Sequence, residues 1–267
     1  MASIKLVAVD VDGTFARNDH TIDVERFKRI FDHMTKEKVQ FVVASGNQYY
    51  QLRDYFPGYH EQLSFVAENG AYVKDHEEVI FAGVIERDTV LTTLDWIDAH
   101  DEVLNVMSCY SCAYIERDPG KETFFEHMGT YYHRLAWADD LRAVDDPVLK
   151  FALNVPPEKT MAYYNELRSS LSGHLEPTTS GHGAIDLIIP GNHKASGLER
   201  LAKRWGIDAS ECVTFGDGGN DVEMLRWAGR GYAMANASDA AKEAADAVCP
   251  SNEEQGVLST LEELFGL

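Results

Sequence analysis

Positive charge is scarce in this 267-residue chain: 24 Lys and Arg stand against 44 Asp and Glu, a formal net charge of −20. That shortage argues against nucleic acid or an anionic membrane as the main partner, because both need a basic surface. It leaves room for a small phosphorylated molecule if positive charge is gathered in one place. Long apolar runs are missing too, and none approaches the roughly 20 residues of a membrane span. The start, "MASIKLVAVDVDG", has acid where a signal peptide would have its cleavage site, so a cytoplasmic protein is expected. Cysteine is sparse: Cys109 and Cys112 form a CxxC, while Cys212 and Cys249 stand alone. A structural zinc site would want a second pair. The loose alternation of "VLNVMSCYSCAYIE" suits a strand or hairpin, so all four cysteines are assigned to packing. Low-complexity tracts and internal repeats are also absent.

What the chain does have is a series of short apolar runs that stop at polar clusters. "IKLVAVDVDGT" is followed by "TIDVERFKRIFDHMTKEK", where Val24, Phe27, Ile30, Phe31 and Met34 fall at helical spacing behind Asp23 as N-cap. "VQFVVASGN", the short helix "QYYQLRDYF" and "LSFVAENGA" continue the alternation. Strands this apolar imply a parallel sheet covered on both faces. The tail resumes the pattern with "AIDLIIPG", "NHKASGLERLAKRWG", "CVTFGDGGND" and "VEMLRWAG". The middle differs, with shorter strands and most of the prolines. The predicted organisation is an α/β core of residues 1–83 and 184–267, with a second α/β domain, 84–183, inserted between its halves.

In open parallel α/β sheets the ligand crevice lies at the carboxyl ends of the strands. Asp10 and Asp12, Ser45, Lys194, and Asp217, Asn220 and Asp221 of "GDGGND" all follow apolar strands or begin the next helix. Side chains at i and i+2 of an extended segment share a side, so Asp10 and Asp12 would add to two further carboxylates. Two unit charges about 4 Å apart repel by about 4 kcal/mol at an effective dielectric near 20. Such a cluster calls for raised pKa values or for a cation, and hard oxygen ligands suit magnesium. Ser45 with the backbone amides of Gly46 and Asn47 reads as an anion site opening a helix. Lys194 adds a full positive charge and Asn220 adds amide donors. A carboxylate nucleophile at Asp10 can form an aspartyl-phosphate, and Asp12 can protonate a leaving oxygen and later take a proton from water.

"DVDGT", "SGN", "HKASG" and "GDGGND" resemble, in order, the four motifs of the haloacid dehalogenase superfamily of phosphatases. "AENGA", "AMANA…KEAAD" and the large insertion between the second and third motifs are similar to its Cof-like branch, and the likeness is strongest to bacterial sugar phosphatases. The resemblance implies a Rossmann-like, doubly wound parallel sheet with an inserted α/β cap of the C2B type. It implies Asp10 as nucleophile, Asp12 as general acid and base, and Ser45, Gly46, Asn47, Lys194 and Asn220 as phosphate or substrate binders. The magnesium ligands it implies are Asp10, the Asp12 carbonyl and Asp217, flanked by Asp221. Many relatives carry Arg where this chain has Asn47, which weakens any transfer of specificity.

Blander roles compete at single positions. "GDGGND" alone is a tight turn, Ser45 alone a helix cap, and Lys194 alone a solvated lysine. Asp186 is either structural or at the cap junction. His182 reads as a surface-loop histidine, with contact to sugar hydroxyls as its alternative. Tyr131, Tyr132 and His133 read as cap packing. Taken together, the motifs predict a magnesium-dependent phosphatase of small phosphorylated metabolites, sugar phosphates foremost, with a monomer as the default state. A sugar phosphomutase and a non-catalytic phosphometabolite-binding protein are the competing readings.

Overall fold

A computed structural model describes residues 3–181 and 183–267 of the chain. They form two compact units, one of residues 3–80 with 193–267 and one of residues 81–181 with 183–192.

The first unit opens with β1 (Leu6–Val9), α1 (Val24–Lys36), β2 (Gln40–Ala44), α2 (Tyr49–Asp54), β3 (Ser64–Ala67), β4 (Tyr72–Asp75) and β5 (Glu78–Ala82). Helix α1 forms as its periodicity predicts, with Phe27, Ile30, Phe31 and Met34 buried, and Asp23 accepting the Arg26 N–H at 3.0 Å. Val24, in the first turn, is exposed. The inserted unit holds α3 (Arg87–Asp98), β6 (Leu104–Cys109), β7 (Ala113–Glu116), α4 (Glu122–Met128), β8 (Leu135–Ala138), β9 (Val148–Asn154), α5 (Thr160–Ser170), β10 (Glu176–Gly181) and β11 (Ala184–Ile188). The chain then returns through α6 (Lys194–Trp205), β12 (Cys212–Gly216), α7 (Val222–Trp227), β13 (Arg230–Met234), α8 (Asp239–Ala244), β14 (Ala247–Cys249) and α9 (Gly256–Phe265).

The first sheet runs β14-β13-β12-β1-β2-β3-β4-β5. Its first six strands are parallel and β4 turns antiparallel to β3. Every residue of β1, β3 and β12 is buried, the mark of strands covered on both faces. The chain leaves β1 toward β2 and β3, then comes back to β12 on the other side. That reversal between β1 and β12 is the topological switch point where such sheets bind ligands. Beneath the loop after β1, Phe15 packs against Phe27, Phe41 and Phe56, with ring centroids 5.6–5.9 Å apart. Each such pair adds about 0.5–1.5 kcal/mol beyond its buried area, so the loop carrying Asp10 and Asp12 is moored at its far end.

The second sheet runs β10-β11-β9-β6-β7-β8, antiparallel except for the β7–β8 pair. Leu94 of α3 and Leu167 of α5 join Phe151, Leu153, Ile185 and Leu187 in its main core. Phe124 of α4 and Tyr132 pack with Val106 and Ile115 in a second cluster, the packing role expected for Tyr132. The four cysteines are free thiols. One boundary moves. The sequence pattern places "AIDLI" in the returning core, but β11 pairs with β9 and β10, and the return lies at 192/193 rather than 183/184. Its apolar residues fit a buried strand of either sheet, and the long-range register with β9 decides between them. Asp186 therefore belongs to the inserted unit, where it accepts a hydrogen bond from Lys150 at 3.0 Å. His182 lies outside the described residues.

Candidate active site

Three strand ends build the site. The Asp10 N–H donates to the Phe215 carbonyl at 3.0 Å, continuing the β1–β12 ladder one step past Val9↔Phe215. Asp10 therefore stands level with Gly216, and Asp217 lies one residue beyond. On the other side Val9 is level with Val43, which places Ser45 one residue beyond Asp10's level on β2. The register alone brings the "DVD", "SGN" and "GDGGND" segments to the same edge.

The turn after β1 depends on Gly13. Its φ is +74°, and a Cβ there would lie 2.5 Å from Asp217 Oδ2, so only glycine lets the turn press against that carboxylate. Thr14 uses the same approach, its hydroxyl donating to Asp217 Oδ1 at 2.9 Å. Lys194 is the first residue of α6, whose cap is His193: its Nδ1 accepts the Ser196 N–H at 3.1 Å, and Ser196 Oγ accepts the His193 N–H at 3.1 Å. That box aims the lysine inward. Its ammonium, 1% exposed, donates to Asp10 Oδ1 at 2.8 Å and to Asp221 Oδ1 at 2.6 Å. Asp221, fully buried, also accepts the N–H groups of Asp217 and Gly218 on Oδ2, both at 2.9 Å. Both its oxygens are thus engaged, and it shapes the "GDGGND" loop.

One ammonium serves three carboxylates here. Burial alone would lower the Lys194 pKa, but the charges of Asp10 and Asp221 outweigh it and hold the group above its ordinary value. Burial pushes Asp10 well above the usual carboxylate range, against the pull of Lys194, and Asp221 and Asp217 push the same way. Asp217 rises to about 6 through burial and the charge of Asp221, partly offset by Thr14. Oxygens of Asp10, Asp217 and Asp221 lie within 4.8 Å of one another. At that spacing each pair of charges repels by roughly 3 kcal/mol at an effective dielectric near 20. The donor set is hard, oxygen-only and short of positive charge, and its chemistry fits a hard divalent cation.

The remaining sequence-predicted residues fall around this cluster. Ser45 is buried; its N–H donates to the Val66 carbonyl at 2.8 Å and its Oγ accepts the Asn47 N–H at 3.2 Å. It does not cap α2, whose first residue is Tyr49 behind Gln48. Asn47 turns its side-chain amide to Asp12, Nδ2 donating to Oδ2 at 2.5 Å. Asn220 Nδ2 donates to Asn69 Oδ1 at 3.1 Å. Sequence reasoning missed Asn69 and Thr14, and also Tyr55 and His20 beside Asp12, where the Tyr55 hydroxyl donates to Oδ1 at 3.3 Å and His20 Nδ1 lies 3.4 Å from it. Asn69 sits at φ +52° in the turn after β3, its N–H donating to the Ser45 carbonyl at 3.1 Å. Its side chain lies so close to Gly46 that a Cβ there would be 3.1 Å from Asn69 Oδ1. "ENG" showed the turn, and the side chain's reach was the unused signal.

A profile of haloacid dehalogenase-like hydrolases matches residues 7–261, nearly the whole chain. The chain belongs to the haloacid dehalogenase-like hydrolases. Within that family the Cof-like affiliation expected from the motifs and the inserted cap holds. The 5-amino-6-(5-phospho-D-ribitylamino)uracil phosphatase YbjI of Escherichia coli (strain K12) is 41% identical over 265 residues, 98% of this chain and 97% of that one. A Bacillus subtilis (strain 168) protein named for the same activity, YitU, is 26% identical over 274 residues, 98% of each chain. The structure of SMU.1108c from Streptococcus mutans UA159 superposes with a TM-score of 0.94 at 33% identity, covering 99% of this chain and 100% of that one. The HAD subclass IIB sugar phosphatase BT4131 shares the fold, with a TM-score of 0.80 at 23% identity over 98% and 99% of the two chains. This haloacid dehalogenase-like hydrolase is a phosphoric monoester hydrolase. Among its described residues no helix is long and apolar enough to cross a membrane.

Proposed function

We propose that this phosphatase hydrolyses phosphate monoesters of small polyhydroxylated metabolites, sugar phosphates foremost, through an aspartyl-phosphate on Asp10. The observation that carries the reading is the buried constellation of Asp10, Lys194, Asp217 and Asp221, which has one positive charge for three carboxylates. Both the sugar-phosphate expectation and the ribityl phosphate named for the Escherichia coli relative are phosphate esters on a chain of hydroxylated carbons.

An Asp10 oxygen attacks phosphorus while the bond to the sugar oxygen breaks, and that oxygen takes its proton from Asp12. Water then attacks the phosphorus and gives a proton to Asp12. The Asp10–phosphorus bond breaks, leaving inorganic phosphate and restoring both carboxyls. Lys194 keeps one Asp10 oxygen engaged, so the other is presented to phosphorus. Ser45 and the amides of Gly46 and Asn47 bind phosphoryl oxygens, and Asn220 steadies that loop through Asn69. Asp10 and Asp217, with Asp221 beside them and the Asp12 carbonyl, would hold magnesium. Bound there, magnesium neutralises carboxylates and phosphoryl oxygens and so supplies electrostatic stabilisation of the transferring group. The inserted unit is assigned the choice of leaving group.

Phosphate release across a panel of hexose, pentose and alditol phosphates tests the reading. Asp10→Asn should lower turnover by at least about 10³-fold, as loss of a nucleophile does, with its circular dichroism unchanged. Turnover that survives in Asp10→Asn refutes the covalent route, and isomerised sugar phosphate without free phosphate would favour a mutase instead. Loss of activity in EDTA that magnesium restores would identify the cation.

A further inference from the structure

We propose that Asn47 and Tyr55, with His20 behind Tyr55, are positioning residues that hold the Asp12 carboxyl in its proton-transferring orientation. The proposal rests on the reading of Asp12 as acid and base.

Asp12 differs from Asp10 in its surroundings. Its side chain is 37% exposed, and it stands outside the buried group of Asp10, Asp217 and Asp221. A side chain that open to water would ordinarily sample several rotamers, yet both its oxygens are held. Asn47 Nδ2 donates to Oδ2 at 2.5 Å, and the Tyr55 hydroxyl donates to Oδ1 at 3.3 Å. His20 Nδ1 lies 3.2 Å from the Tyr55 oxygen and 3.4 Å from Asp12 Oδ1.

The two contacts are chemically unequal, and that decides where the proton goes. An amide N–H can only donate, so Asn47 favours Oδ2 as the unprotonated, stronger acceptor and disfavours the acid proton there. A phenol hydroxyl both donates and accepts. Tyr55 can donate to Oδ1 when Asp12 is ionised and accept from it when Asp12 is protonated. The proton therefore belongs on Oδ1, in either half of the reaction, with no rotation of the carboxyl. Tyr55 is itself steadied from both sides. Its neighbours Leu52 and Phe56 are buried, and His20 is presented by a turn in which Asp19 Oδ1 accepts the Thr21 N–H at 3.0 Å and Arg17 N–H donates to the Thr21 carbonyl at 2.9 Å.

A group that acts through the general acid matters most when the leaving oxygen is basic. The test compares phenyl phosphate with p-nitrophenyl phosphate, two esters of nearly equal shape whose leaving groups differ in their need for a proton. In Tyr55→Phe, kcat/KM should fall about 10-fold for phenyl phosphate and less than about 2-fold for p-nitrophenyl phosphate, a fraction of what a whole general acid contributes. Asn47→Ala, in the phosphate-binding loop, should lower both rates but phenyl phosphate the more, and His20→Ala should show a weaker form of the Tyr55→Phe selectivity. Asp12→Ala separates the two levels of the claim. If kcat/KM of Asp12→Ala, which reports the steps up to departure of the leaving group, falls without regard to that group, Asp12 is not the acid, and the positioning role goes with it. If Asp12→Ala is selective but Tyr55→Phe is unchanged or falls equally on both esters, only the positioning role is overturned.

Discussion

Lys194 in the first unit and Lys150 in the second are the two most buried lysines among the described residues, at 1% and 2% exposure. Both donate to aspartates, at 2.6–2.8 Å for Lys194 and 3.0 Å for Lys150. Lys150 meets the carboxylate of Asp186 across neighbouring strands, an ion pair that is neutral in itself. Lys194 meets two carboxylates with a third beside them, which leaves two negative charges over when all three are ionised. A buried ion pair is weak evidence of stabilisation in either setting. Surplus charge is different, because it persists only where something else arrives to balance it. The neutral pair reads as architecture, and the unbalanced cluster as a place for a cation and a phosphoryl group.

The comparison breaks first at Lys194. Lys194→Met leaves three buried carboxylates with no ammonium, and a buried pair broken on one side costs about 3–5 kcal/mol. The loss should be larger at pH 8 than at pH 5, since a protonated carboxyl no longer needs the lysine. Chemical denaturation at the two pH values measures it. Equal destabilisation at both would mean that Lys194 is held for packing rather than for charge.

How much of this was legible depends on how far apart the partners lie in the chain. Asp10, Asp12, Lys194, Asp217 and Asp221 stood out because each follows an apolar strand or opens the next helix, and register then brings their segments to one edge. Helix α1 followed from spacing alone. The moored positions were not legible: Thr14 reaches Asp217 across 203 residues and Asn220 reaches Asn69 across 151. Thr, Asn, Tyr and His in those segments look like ordinary turn or packing residues until the fold supplies the other end. The same physics hid the sheet to which β11 belongs, since an apolar strand does not name its neighbour.

A second and smaller effect sharpens the electrostatic contrast without any substitution. Asp217 is held at about 6 against 3.8 for a free aspartate, so between those values the folded state binds a proton that the unfolded chain has released. Stability in EDTA should be fullest below about pH 4 and fall as pH rises through about 6. Asp10, raised in the same direction, adds to the slope. For Asp217 the loss is about 2 kcal/mol once its residual exposure is allowed for. Magnesium prefers the ionised carboxylates, so its addition should flatten or reverse the slope. Melting curves with and without magnesium between pH 4 and 7 decide this, and parallel slopes would remove the cation from the cluster.

The smallest effect belongs to the neutral pair, and it is where the two lysines should part most clearly. Lys150→Met leaves Asp186 charged, but that carboxylate is 23% exposed and recovers part of its hydration. The cost should be about 1–2 kcal/mol, below that of a fully buried broken pair. Changing the partner as well, in Lys150→Met with Asp186→Leu, removes both charges and should restore most of the stability, because well-packed apolar residues replace a buried pair at little cost. The same manoeuvre at Lys194 and Asp221 cannot succeed, since Asp10 and Asp217 remain and Asp221 also holds the N–H groups of Asp217 and Gly218. A double-mutant cycle at each site measures the contrast. Recovery at Lys194 to the same extent as at Lys150 would show that surplus charge is not what distinguishes the two lysines.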